Sequence, residues 1–282
     1  MTLIMGVLNV TPDSFSDGGQ YLTTHEAIAH AHDMARHGAD IIDVGGESTR
    51  PGSSRIDAVT EQQRIMSVIE ALADSDITVS VDTLHAQTAR AAIQAGAFII
   101  NDVSGATFDP DMFKTVAGAR TRSGELVKIV LGHWRGIPDP GHSRSTYDDV
   151  SHEVRDALAE RVNSALAAGV APEQIILDPG IGFDKNAEQG WQILARIDEL
   201  QALGYPVMIG VSRKRMMGEL IADDANADMT ARDLPTAVTS ALMADRSIWA
   251  VRVHDVAATR VALQVHEALQ RATRHSEREA SR

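Results

Sequence analysis

The chain contains no cysteine. That excludes a disulfide framework, thiolate-held zinc and a cysteine nucleophile. Phe, Trp and Tyr make up only 4% of residues, too few for the stacking platform of a single-strand nucleic-acid binder. No apolar run reaches the ~18 residues that a membrane span needs. The start MTLIMGVLNVTPDS has neither a basic opening nor a small-residue cleavage site, so a cytoplasmic protein away from membranes is expected. Positive charge is in short supply. The 26 Lys and Arg stand against 39 Asp and Glu, a net charge of −13. That field repels nucleic acid and anionic lipid and leaves only a local basic pocket able to hold an anion. What is present is a hydrophobic share of 44% in 282 residues, ample for one large core.

Short runs rich in Val and Ile alternate with longer amphipathic stretches. The runs are Leu3–Val10, Asp40–Val44, Thr78–Val81, Phe98–Asn101, Val127–Leu131, Gln174–Leu177, Pro206–Gly210 and Ile248–Val253. Most lack polar alternation, the pattern of strands buried on both faces. Between them, Thr24–His37 (capped by Thr23 or Thr24), Ala86–Ala95 and Asp148–Ala168 read as helices stopped by Gly38, Gly96 and Gly169, because glycine suits the turn past a helix end. Ala119–Gly124 and Gly136–Ser145 read as loops. Strand–helix alternation implies parallel strands joined by right-handed crossovers. Eight such units over this length predict an α/β fold, a single-domain (β/α)8 TIM barrel over residues 1–270, with a fraying polar C-terminal tail at 271–282.

A barrel of this kind places its chemistry where the strands end. The residues there are Asn9, Asp43 through Glu47, Asp82, Asn101 with Asp102, His133, Asp178, Ser212 with Lys214, and Arg252 with His254. Any one of them could simply cap its strand, but together they mark an active site at the mouth without naming the reaction. No GxxxxGK[ST] occurs, and Gly180-Ile-Gly182 lacks a third glycine at dinucleotide spacing, so neither nucleotide fingerprint has support. His25, His30 and His32 read as solvated helix residues, since His30 and His32 fall on different faces.

The wording of the strand ends is more specific. Met5-Gly-Val-Leu-Asn-Val-Thr-Pro-Asp-Ser-Phe-Ser-Asp-Gly-Gly19 resembles the N-terminal signature of the dihydropteroate synthase family, and Asp43-Val-Gly-Gly-Glu-Ser-Thr-Arg-Pro-Gly52 resembles its second loop. Ser80-Val-Asp-Thr83, Asn101-Asp-Val-Ser-Gly105, Asp178-Pro-Gly-Ile-Gly-Phe183, Ser212-Arg-Lys-Arg215 and Arg252-Val-His-Asp-Val256 follow in family order. The resemblance implies a transferase of folate biosynthesis that works as a homodimer with Mg²⁺. It condenses 6-hydroxymethyl-7,8-dihydropterin diphosphate with p-aminobenzoate, releasing diphosphate by a dissociative route.

It also implies roles. Asp82, Asn101, Asp178 and Lys214 would bind the pterin, whose donors and acceptors only fixed polar groups can match inside a barrel. Asp82 would stabilise the pterin cation. Arg252 and His254, alternate residues on the last strand, would hold the diphosphate and serve catalysis with Asp82, helped by free amides where the next helix begins. Asn9 would offer an oxygen to Mg²⁺, which takes few protein ligands. The loops Thr11–Gly19 and Ser48–Ser53 would build the p-aminobenzoate pocket, with Thr49, Arg50 and Pro51 lining it, Phe15 and Phe183 as apolar walls, and Ser212 near the benzoate carboxylate. One departure stands out. Many members place a methionine over the pterin where Gly132 sits here; either Trp134 fills that space or the pocket is roomier. The rim pattern alone also fits a non-catalytic paralogue, a pterin-dependent methyltransferase, or a barrel enzyme acting on another phosphorylated small molecule.

Overall fold

The computed structural model describes residues 1–11, 19–47, 55–136, 145–221 and 229–280. Eight parallel strands form one sheet among them: β1 Leu3–Asn9, β2 Ile41–Gly45, β3 Val79–Asp82, β4 Ile99–Asp102, β5 Lys128–Gly132, β6 Ile175–Asp178, β7 Met208–Ile209 and β8 Ala250–Val253. The order is β6-β5-β4-β3-β2-β1-β8-β7. A parallel bridge between Leu177 and Val207 joins the two ends, and the sheet closes into a (β/α)8 barrel, as the alternation predicted.

The helices are α1 Gly19–Arg36, α2 Ala58–Ala73, α3 Ala86–Ala95, α4 Met112–Val116, α5 Val150–Ala167, α6 Ala187–Ala195, α7 Ile197–Gln201, α8 Arg215–Gly218, α9 Asp233–Ala244 and α10 Val256–Ala280. Local chemistry sets their ends. Asp57 accepts the Thr60 amide at 2.7 Å to start α2, and Asp149 accepts the Ser151 and His152 amides at 3.1 Å to start α5, each taking up amides the helix leaves unpaired. Gly96 ends α3 at φ 120, a conformation that side chains rarely adopt. Two helix ends differ from expectation. Helix α1 begins at Gly19, so Thr23 and Thr24 lie within it rather than capping it; the sequence from 20 to 24 has no Gly or Pro to delay it. Helix α10 runs on to Ala280, because the polar residues from 271 contain good helix formers and no breaker. The expected loop Ala119–Gly124 turns a short hairpin through an antiparallel bridge between Arg120 and Leu126.

Strands β2, β3, β4 and β6 are buried at every residue. Successive side chains alternate, so one set faces the helices and the other fills the barrel. The inner set begins with a floor of Met5, Ile41, Ile99, Val130, Ile176, Met208 and Ala250, one packed cluster. Two residues further along the same strands come Val7, Asp43, Asn101, Gly132, Asp178, Gly210 and Arg252. The interior changes from apolar to polar within one pleat.

Candidate active site

Above the floor, the polar residues bond to one another. Arg252 donates from Nε to Asp43 Oδ2 at 2.6 Å and from Nη2 to Asp82 Oδ2 at 2.9 Å. Asn101 Nδ2 donates to Asp43 Oδ2 at 3.0 Å. Asp43 is fully buried, and Ser80, Asp82, Asn101 and Asp178 are buried around it. Asp43 Oδ1, Ser80 Oγ and Asn101 Oδ1 are buried without a hydrogen-bond partner among the described residues. Native interiors leave few such atoms, and three in one layer mark a surface shaped for a ligand with complementary groups.

Electrostatics follow from the same burial. Burial pushes the Asp82 carboxyl up to about 7, against the pull of Arg252, with Asp43 adding to the rise. Burial also opposes the Arg252 charge, but Asp43 and Asp82 outweigh it and hold the guanidinium above its ordinary value. Asp102 looks equivalent to Asn101 in sequence but faces the other way. Its carboxylate caps the following turn, accepting the Ser104 amide at 2.8 Å, the Ser104 hydroxyl at 2.6 Å and the Ala106 amide at 3.0 Å.

Asn9 ends β1 in register with Gly45, which pairs with Asp82 on β3. A Cβ at Gly45 would lie 3.6 Å from Asp82 Cβ and 3.9 Å from Asn9 Oδ1, so the glycine keeps a gap between these two oxygen-bearing groups. Ser212 Oγ accepts the His254 amide at 3.1 Å and lies 2.9 Å from His254 Nδ1. The structure therefore gives Arg252 and His254 different partners: the guanidinium turns to the buried carboxylates, the imidazole to the β7 loop. The amides opening α10 are not all free either, because Asp255 Oδ1 accepts the Ala258 amide at 2.9 Å.

Lys214 follows β7 and donates to the Ile181 carbonyl. Its ammonium stands 5.2 Å from the Phe183 ring centroid. Burial pulls Lys214 down to about 8, while Asp178 works the other way. Asp178 Oδ1 accepts the Gly180 amide at 2.8 Å, which aims the carboxylate while the strand holds its backbone. Gly182 lets Lys214 pass, since a Cβ there would lie 2.7 Å from Lys214 Cδ.

The Gly132 departure resolves on one side. Trp134 does not fill the space; its Nε1 donates to Thr107 Oγ1 at 2.6 Å, and its ring meets Phe108 edge-on at 6.3 Å. A Cβ at Gly132 would lie 2.5 Å from the Val103 backbone, so any side chain there would push the end of β4 aside. Arg55 stacks near Phe108 and Trp134 and pairs with Glu47 at 2.7 Å. Phe15, Thr49, Arg50 and Pro51, and most of the loops that carry them, lie outside the described residues, as does most of Gly136–Ser145.

Two residues given no role from sequence belong to this region. Asp43 links Arg252 to Asn101; even spacing from Ile41 on the same strand was the available signal. Lys185 is buried and bonds to His133; it follows its strand by several loop residues, where no periodicity marks burial.

Comparison with known proteins agrees with this geometry. Residues 5–254 match the family described as pterin binding enzyme. The dihydropteroate synthase of Mycobacterium leprae is 48% identical over 265 residues, 93% of this chain and 91% of that protein. The solved dihydropteroate synthase of Xanthomonas albilineans with 4-aminobenzoic acid is 41% identical with a TM-score of 0.86, covering 95% of this chain and 93% of that one. The same enzyme in complex with 7,8-dihydropteroate is 39% identical with a TM-score of 0.83, covering 95% and 94%.

Proposed function

Because the chain belongs to the pterin-binding enzymes and, among them, to the dihydropteroate synthases of folate biosynthesis, which are transferases, we propose that it joins 6-hydroxymethyl-7,8-dihydropterin diphosphate to p-aminobenzoate. The observation that carries the reading is the polar layer above the apolar floor, with its three partnerless buried atoms. A pterin is flat and edged with donors and acceptors. Asp82, Asn101 and Asp178 supply complementary groups, and Lys214 supplies a donor above them. The ligand-bound relatives support both substrate halves: one holds 4-aminobenzoic acid, the other the joined product.

In the proposed route the methylene C–O bond breaks first, and its electron pair leaves with the diphosphate. The resulting pterin cation sits against the Asp82 carboxylate, which stabilises positive charge in a site of low dielectric. The p-aminobenzoate nitrogen then attacks the methylene carbon and loses a proton. Arg252 and His254 bind diphosphate in this reading, so the guanidinium exchanges part of its carboxylate contact for phosphate oxygens. Ser212 binds the benzoate carboxylate, and Phe15, Thr49, Arg50, Pro51 and Phe183 enclose the ring.

Mg²⁺ fits the donor set. Among the described residues no group of three His, Cys, Asp or Glu could hold a metal, and Asn9 presents one hard oxygen at the mouth. That suits an ion that fills its shell with phosphate oxygens and water. Bound there, it would neutralise charge on the leaving diphosphate.

We place the reaction in the cytoplasm, carried out by a homodimer. Leu234, Val238 and Leu242 on α9 and Val261, Val265 and Leu269 on α10 recur every four residues, and each is at least 50% exposed. The two helices pack side by side, giving a continuous apolar face that a second copy would cover. Light scattering should report a dimer that Val238→Glu with Val265→Glu dissociates. The decisive assay follows dihydropteroate and diphosphate formation with and without Mg²⁺. Pterin binding without product formation would point to a non-catalytic paralogue.

A further inference from the structure

We propose that Lys185 is a positioning residue, whose buried ammonium staples the segment 178–185 to the end of β5 and so sets where Phe183 stands at the barrel mouth. The proposal rests on the substrate reading above, which puts Phe183 against p-aminobenzoate and Asp178 against the pterin.

Lys185 is 3% exposed. Its Nζ lies 2.8 Å from His133 Nδ1, 3.1 Å from the Gly180 carbonyl and 3.0 Å from the Phe183 carbonyl. An ammonium has three N–H donors and no lone pair, and here each donor meets one acceptor. A buried lysine is ordinarily paired with a carboxylate. This one instead binds two carbonyls of a single turn and an imidazole from a neighbouring strand, so its hydrogen bonds fix backbone geometry.

The His133 side of the staple is suited to accept. Burial, then the charges of Lys185 and Arg135, hold the imidazole well below the usual histidine value, so it stays neutral. With Nδ1 facing an ammonium, its proton belongs on Nε2. Burial pulls Lys185 itself down to about 7, and the Asp178 carboxylate acts in the opposite direction.

The rest of the turn is built around the same contacts. The His133 amide donates to the Asp178 carbonyl at 3.0 Å, and the Phe183 amide donates to the Gly180 carbonyl at 2.9 Å. Gly180 has φ 64, and a Cβ there would collide with the His133 carbonyl. The Gly180 carbonyl thus receives both the Phe183 amide and the Lys185 ammonium. The Asp178 backbone is held by the β5–β6 pairing, in register with Gly132, and only its carboxylate touches the turn, through the Gly180 amide. Phe183 has no strand to hold it and depends on the staple.

That difference gives a split readout on the full-length enzyme. Lys185→Met should raise KM for p-aminobenzoate about tenfold, the effect of losing charge-assisted hydrogen bonds. The Kd for a stable pterin analogue, measured by calorimetry, should stay within about threefold, since Asp178 keeps its strand. His133→Leu removes one acceptor, leaves Lys185 its two carbonyls, and should shift KM in the same direction. His133→Gln, which retains an acceptor, should restore it. The double variant should be no worse than Lys185→Met alone, because both act through one bond. An unchanged KM in folded variants overturns the proposal. So does an equal loss of pterin affinity, or a fall in kcat that merely follows the folded fraction with KM intact. Wild-type protein that binds neither ligand would sink the substrate reading instead. Nitrogen NMR shifts then still decide the staple: a proton on Nδ1 of His133 overturns it.

Discussion

The barrel interior holds two layers on the same strands, two residues apart. Below, Met5, Ile41, Ile99, Val130, Ile176, Met208 and Ala250 pack into one apolar cluster. Above, Asp43, Asp82, Asn101 and Arg252 bond to each other and leave Asp43 Oδ1, Ser80 Oγ and Asn101 Oδ1 without partners. From β8 through β1 to β6 the backbone pairing runs through both layers, so along those strands the contrast lies in side chains alone. The lower layer gains stability from burial. The upper layer gives some of it up, because buried charges and partnerless polar atoms cost free energy that only a ligand can return.

The contrast is tested hardest by Arg252→Ala. The change leaves the Asp43 and Asp82 carboxylates buried without their cation. Breaking such a pair costs ~3–5 kcal/mol, and at ~2–4 °C per kcal/mol for a chain of this size the melting temperature should fall by roughly 6–20 °C. Affinity for a pterin without phosphates should fall as well, since Arg252 is bonded to Asp82 and shares Asp43 with Asn101. From the sequence, Arg252 is expected to act on the anion alone, leaving free pterin binding nearly unchanged. Differential scanning and calorimetry separate the two. An unchanged melting temperature would mean that the upper layer does not depend on its cation.

Ile176→Ala tests the lower layer. It should cost ~3 kcal/mol through lost burial and a cavity, while pterin affinity in the folded fraction stays as it was. Loss of affinity at unchanged stability would show that the floor shapes the ligand site directly.

What could be read from the sequence follows the same division. The eight strands were legible because strands buried on both faces need unbroken apolar runs. The barrel followed from their number, and most of the mouth residues from where those runs end. Which side of a strand a residue occupies was harder. Asp43 and Asp102 both sit at polar strand ends, yet Asp43 is even-spaced from Ile41 and faces inward, while Asp102 faces out and caps a turn. Trp134 could not be placed, because its partners Thr107 and Phe108 follow a different strand. Lys185 left no trace at all, since its acceptors are mostly backbone carbonyls, which no residue pattern encodes.

The charges of the upper layer and of the two loop lysines above it predict a narrow pH optimum. Asp82 is raised to about 7, so the carboxylate that would stabilise the pterin cation is gained as pH rises through that value. Lys185 and Lys214 are lowered to about 7 and about 8, so their ammonium groups are lost as pH rises further. The profile of kcat/KM should therefore be bell-shaped, falling towards tenfold per unit outside the optimum, with apparent values that belong to the coupled groups. Asp82→Asn should flatten the acid limb while lowering the maximum. An acid limb that survives the substitution would assign it to another group.

The smallest effect comes from Ser80→Ala, and it separates the two layers most finely. Ser80 is in register with Asp43 on one side and Ile99 on the other, which places it at the lower edge of the polar layer, against the floor. Its hydroxyl is fully buried and partnerless among the described residues. Removing such a group deletes a desolvation penalty and no bond, so stability should hold or rise by up to ~1 kcal/mol. A comparable truncation in the floor would lower it. If Ser80 belongs to the floor, pterin affinity is unaffected and the boundary runs just beneath Asp82. A tenfold weaker pterin would instead place the hydroxyl against the ligand, and the site would reach two residues deeper along β3 than the Asp82 carboxylate.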